Sequence, residues 1–223
     1  ESVRKGKGVK EEWIPDMKAN GVEDWYIESC KKIKYMFPKA HAVAYVMMAI
    51  RIAWFKVHHP IYYYAMFFSI RCDAYEIETM IKGEQAIRER MNDIAYRLDD
   101  PNLKRDVSKK EKDIYNTLEL ALEMVLRGYR FTNIDIMRSD ATLFLPDPQD
   151  KNVLIPPFTS IDGLGESVAL TVLEARKEGA FLSKQDLQNR TSLSATLVKK
   201  LESMRVLDGM QDENQMSLFG GMF

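Results

Sequence analysis

The sequence contains few cysteines and histidines, and its charges almost cancel. Its 223 residues include two cysteines, Cys30 and Cys72, and three histidines. This composition excludes a disulfide framework and a cysteine-based zinc site, and it fits a reducing cytoplasm. The formal net charge of −1 predicts no general attraction to nucleic acid, so any contact with DNA must come from local clusters.

Several function classes leave no pattern in the sequence. No run reaches 18 uncharged apolar residues, no signal peptide is visible, and no P-loop or nucleophile elbow occurs. The aspartates at 99, 100, 147 and 150 lie within two residues of proline or asparagine, where turns use them for local hydrogen bonds. We therefore expect no catalysis from this chain alone. Its opening residues read like the interior of a longer sequence, so we expect a fragment.

Helical periodicity dominates the first 130 residues and predicts a mainly α fold. Predicted helices cover 42–55, 61–70, 74–98 and 108–126. The first carries only one charge, Arg51, so we expect it to be buried on nearly all sides. Ser108 and Glu111 have the spacing of a capping box. Short β-branched runs punctuated by proline between 131 and 155 predict two or three strands.

A glycine-containing turn before a helix is the most informative local pattern. Gly163 and Gly165 flank Leu164, and Glu166 and Ser167 then begin an apolar-periodic helix. Glycine accepts positive φ and permits close approach to the backbone, and the free amides of a helix start suit a phosphate oxygen. The pattern resembles the hairpin of a helix-hairpin-helix motif. The alternative is a turn between two core helices.

Two basic clusters are candidates for binding phosphate. Arg4 belongs to a glycine-rich basic opening, and Lys39 and His41 begin the apolar helix with Tyr45 one turn later. A cation, an imidazole and a ring in this order could bind a triphosphate and stack on a base. The alternatives are a solvated loop, a capping histidine and a core tyrosine. Adjacent histidines point to different helix faces, so we predict no metal site.

The last residues form an acidic, unpatterned stretch with two large apolar side chains. Gln215, Met216, Ser217, Leu218 and Phe219 match the short peptide by which bacterial replication proteins bind the sliding clamp. An exposed Leu-Phe pair favours a partner pocket. The alternative is a frayed end that folds onto its own domain.

These three motifs, in this order, resemble the C-terminal part of a bacterial family C replicative DNA polymerase, the α subunit of DNA polymerase III. The short tail after the hairpin region resembles the one found in the PolC branch of this family. The resemblance implies helical fingers over 1–130, a β connector with a duplex-binding helix-hairpin-helix domain over 131–208, and a flexible clamp-binding tail over 209–223. It also implies a cytoplasmic enzyme whose partners are primer-template DNA, a deoxynucleoside triphosphate and the clamp, with no membrane.

Individual roles follow only from this resemblance. Arg4, Lys39, His41 and Tyr45 would face the nucleotide, whereas the aspartates that hold magnesium would lie outside this chain. A second hairpin near 191–195 lacks the two glycines. Two alternatives stay open: a non-catalytic adaptor that keeps the hairpin and the clamp peptide, and a purely structural helical scaffold.

Overall fold

The computed structural model describes residues 1–34, 36 and 38–213, and only the backbone of 38–41. It has a mainly helical fold with one small sheet, as predicted. The helices are α1 Ile14–Ala19, α2 Asp24–Lys32, α3 Pro38–His58, α4 Pro60–Ile70, α5 Ile77–Met80, α6 Glu84–Asp99, α7 Lys109–Leu126, α8 Glu166–Lys177, α9 Lys184–Arg190 and α10 Ala195–Ser203. The strands are β1 Arg130–Phe131, β2 Leu145–Pro146 and β3 Val153–Ile155, and short 3₁₀ helices cover Glu11–Trp13 and Phe158–Ser160.

The chain forms two compact units, Glu1–Phe55 and Lys56–Phe223. In the first unit, Gly6 has a φ of +73°, and a Cβ there would lie 2.1 Å from the carbonyl oxygen of Lys34. Only glycine permits this close backbone approach. The basic opening is therefore a defined turn.

The surface of α3 contradicts the sequence prediction. Residues 42–55 are exposed, including Tyr45, Ile50 and Trp54. The expectation that this helix is buried on nearly all sides is therefore wrong for this chain, which leaves the apolar side chains at its surface.

The second unit is built on one hydrophobic core that includes residues from Ile61 to Leu207. Phe68 of α4 is fully buried, and its ring centroid lies 5.3 Å from that of Phe131 and 5.4 Å from that of Phe144. Aromatic packing of this kind joins the helices to the sheet. The predicted polymerase domain boundaries at 130 and 208 divide the chain by function and stay predictions.

The sheet has the order β1–β3–β2, with β3 in the centre. β1 is parallel to β3, with Phe131 opposite Leu154, and β2 is antiparallel to β3, with Leu145 opposite Ile155. All three residues of β3 are buried, and because successive side chains point to opposite faces, both faces of the central strand are covered. The predicted β element is confirmed.

The residues at the start of α7, the longest helix of this unit, explain where it begins. Ser108 accepts a hydrogen bond from the Glu111 amide, and the Glu111 side chain accepts one from the Ser108 amide. This reciprocal pair is the predicted capping box. Arg97 donates to Glu111 at 2.6 Å, which lowers the pKa of that carboxyl to about 2. The start of α7 is thus tied to α6.

Candidate nucleic-acid interface

A turn at 161–165 follows the central strand and begins α8. β3 continues through two prolines and the 3₁₀ helix Phe158–Ser160 into the turn. Ile161 and Leu164 are 1% and 3% exposed, and the Leu164 amide donates to the Ile161 carbonyl at 3.1 Å. These two side chains hold the turn against the core, and the residues between and after them face solvent.

The two glycines of this turn have different conformations. Gly163 has the expected positive φ, +86°. Gly165 has φ −80° and ψ 161° and is the N-cap of α8, so it does not use the positive φ that glycine permits. The reason is that an N-cap residue has an extended backbone, and its carbonyl accepts the first hydrogen bond of the helix. Its carbonyl accepts from the Ala169 amide at 3.0 Å.

The start of α8 has no side-chain cap. Gly163, Gly165, Glu166 and Ser167 are exposed. Uncapped first-turn amides together with the positive end of the helix dipole form a seat for a phosphate oxygen. The structure thus places the predicted DNA-binding residues 163–167 together on one turn, with Leu164 as the internal anchor.

A salt bridge adjoins the turn and was not predicted. The Lys110 ammonium lies 2.7 Å from Asp162 Oδ1, and it holds the pKa of that carboxyl below its ordinary value. Lys110, Gly163 and Gly165 line one open groove of about 930 Å³. The lysine therefore offsets the negative charge that Asp162 brings to the turn. The two residues are 52 positions apart, so no local pattern indicates this contact.

The second hairpin differs from the first at its helix start. α9 and α10 are joined by residues 191–194, and the Ser194 side chain accepts from the Leu197 amide at 3.3 Å. The Ser192 amide donates to Thr171 Oγ1 at 2.9 Å. Because side chains already use these amides, the first hairpin is the more available site for phosphate.

The predicted nucleotide-binding residues all lie in the first unit. Arg4 forms an ion pair with Glu1 at 2.6 Å, and Tyr45 is 66% exposed on α3. Lys39 and His41 lie in the first turn of α3, and their side chains are outside the described residues. Their assignment to a nucleotide stays a prediction.

The predicted clamp-binding residues 215–219 lie outside the described residues. Among the residues that the structure does describe, no group of three or more His, Cys, Asp or Glu side chains could hold a metal ion. The described helices are also too short or too polar to cross a bilayer.

Comparison with known proteins finds relatives that match nearly the whole chain. Residues 128–216 match the family described as "Helix-hairpin-helix motif". The PolC-type DNA polymerase III of Bacillus subtilis (strain 168) is 56% identical over 220 residues, covering 98% of this chain and 15% of the relative. Nearly the whole chain is therefore similar to one segment of PolC-type DNA polymerase III. The predicted resemblance is confirmed.

Two further relatives show the same coverage. The PolC-type enzyme of Oceanobacillus iheyensis is 52% identical over 98% of this chain, and that of Streptococcus pneumoniae (strain D39) is 52% identical over 100% of this chain. The chain spans about 15% of the length of each relative. The adaptor alternative would account for the hairpin and the clamp peptide but not for similarity over the whole chain.

Proposed function

We propose that this chain is the C-terminal part of a PolC-type replicative DNA polymerase and that its helix-hairpin-helix region binds the upstream duplex. The observation that carries this proposal is the turn at 161–165, where Gly163 leads into the uncapped start of α8. Backbone amides at such a place contact phosphates and carry no base readout. The region would therefore hold any duplex without sequence preference.

Two further roles follow from the family resemblance. Residues Arg4, Lys39, His41 and Tyr45 would position the incoming deoxynucleoside triphosphate, giving proximity and charge neutralisation for phosphoryl transfer. Residues 215–219 would bind the sliding clamp and raise the local concentration of the polymerase at the primer end. The magnesium ions of such an enzyme would be held by residues outside this chain, and the chain alone would extend no primer.

Titration of a labelled 20-base-pair duplex with the 223-residue chain tests the DNA-binding proposal. Two unrelated sequences should bind equally, and the affinity should fall with salt at a logarithmic slope of roughly −0.9 per phosphate contacted. A duplex affinity that depends on sequence, or that does not change between low and moderate salt, would contradict phosphate binding by the hairpin.

A further inference from the structure

The described end of the chain is docked on the start of α9. The Lys184 amide donates to the Gln211 carbonyl at 2.8 Å, and the Gln185 amide donates to the Asp212 carbonyl at 3.1 Å. Ser183 pairs with Gln211 in a parallel bridge. The first amides of a helix have no partner within the helix. Here two of them are satisfied by residues 211 and 212, so the docked segment completes the helix start.

A charged contact strengthens the same docking point. The Lys184 ammonium lies 2.6 Å from Asp212 Oδ1 and 2.8 Å from Glu202 Oε1 of α10, and the Lys184 side chain is only 23% exposed. Hydrogen bonds to Asp212, then to Glu202, raise the pKa of Lys184. One lysine thereby joins α9, α10 and the segment that follows α10. The charge of Lys184 is opposite to that of both partners, so reversing it should break all of these contacts.

The docking point limits how far the next residues reach. Gln215 follows Asp212 by three positions, and three residues span at most about 11 Å when fully extended. A partner that takes residues 215–219 must therefore approach within this distance of the start of α9. A tail that was free from Gly209 onward would give the partner about twice that range.

We propose that Lys184 is a positioning residue that holds Gln211 and Asp212 on α9 and so keeps the sliding clamp beside the α9–α10 side of the duplex-binding domain. This inference rests on the proposed clamp-binding function of residues 215–219. A ring around the same duplex that the hairpin holds would then stay close to the domain, because the tether is short and its root is fixed.

Hydrogen exchange in the 223-residue chain tests the docking itself. In Lys184→Glu, the backbone amides at positions 184 and 185 should exchange about tenfold faster, since two ion pairs become repulsive. The double variant Lys184→Glu/Asp212→Lys should restore slow exchange. The matched control is Lys177→Glu, which removes an exposed lysine that pairs with Glu174. Equal exchange rates in Lys184→Glu and the wild type would overturn the proposal.

Clamp-dependent synthesis by the full-length polymerase tests the positioning. Lys184→Glu should shorten clamp-dependent products about threefold. A ten-residue insertion of alternating glycine and serine after Asp212 should do the same, because both changes loosen the tether. Single-nucleotide insertion without the clamp should be unchanged in both variants. Normal product lengths despite faster exchange would overturn the positioning role. Failure of the wild-type tail to bind the clamp would refute that part of the proposed function and the positioning inference with it, whereas the exchange result would stand.

Discussion

Gly165→Asp should stabilise this chain and at the same time weaken its binding to duplex DNA. Gly165 is the N-cap of α8, has an extended backbone and makes no side-chain cap. A Cβ at this position would meet nothing within 4 Å, so the substitution introduces no clash. Aspartate is a preferred N-cap residue, and its carboxylate would accept a hydrogen bond from the first-turn amides. The same amides are those proposed to bind phosphate.

The two effects have opposite signs and can be estimated separately. Aspartate in place of glycine contributes a few tenths of a kcal/mol from capping, and its charge at the helix start about 0.3–1 kcal/mol. The exposed Glu166 already lies in this turn and offsets part of the charge effect. We expect the free energy of unfolding to rise by about 0.5 kcal/mol, which is about 1–2 °C in Tm for a domain of this size.

The loss of DNA affinity should be larger. A hydrogen bond to a charged group contributes about 1.5–3 kcal/mol, so the dissociation constant should rise about 10- to 150-fold. Fluorescence anisotropy with a labelled duplex and thermal melts of the same samples measure both effects. Asn189→Asp is the matched control, because it adds one carboxylate at an exposed site of α9. If both variants bind duplex with the wild-type affinity, the start of α8 does not contact phosphate.

Three further perturbations test other parts of the structure. Arg205 has a φ of +61°, so Arg205→Gly should raise the free energy of unfolding by about 0.5–1 kcal/mol in a urea titration, and no change would show that this turn is unstrained. Replacing Leu218 and Phe219 by alanine should abolish calorimetric binding of the clamp without changing Tm, and retained binding would place the contact elsewhere. The Arg97 hydrogen bond lowers the pKa of Glu111 from 4.5 to about 2, so its stabilising effect is present above pH 4.5 and is lost as the pH falls towards 2. Glu111→Gln should lose this part of the pH dependence of unfolding, and an identical acid profile would contradict it.

Local signals in the sequence predicted the features that depend on a few neighbouring residues. The capping box of Ser108 and Glu111 and the positive φ of Gly163 each need only four or five residues to form. The helices and the small sheet followed from periodicity and from proline positions. These features were predicted because their causes lie within one turn of the chain.

Long-range contacts were not predictable in this way. The pairing of Lys110 with Asp162 spans 52 positions, and Lys184 reaches Asp212 across 28. Gly165 took an extended N-cap geometry because the helix begins immediately after it, a boundary that sequence patterns place only approximately. The apolar composition of α3 predicted burial, but the side chains of residues 42–55 are exposed in this chain. The chain spans 15% of its relatives' length.

The exposed apolar surface of α3 affects how the isolated chain should behave at different concentrations. Val46, Ile50 and Trp54 are each at least 50% exposed, and large apolar surfaces of this kind associate in water. Association of folded chains shifts the folding equilibrium by mass action, so the melting temperature should rise as the protein is concentrated. Melts of variants are therefore comparable only at one concentration, and Ile50→Lys should make the midpoint less dependent on it.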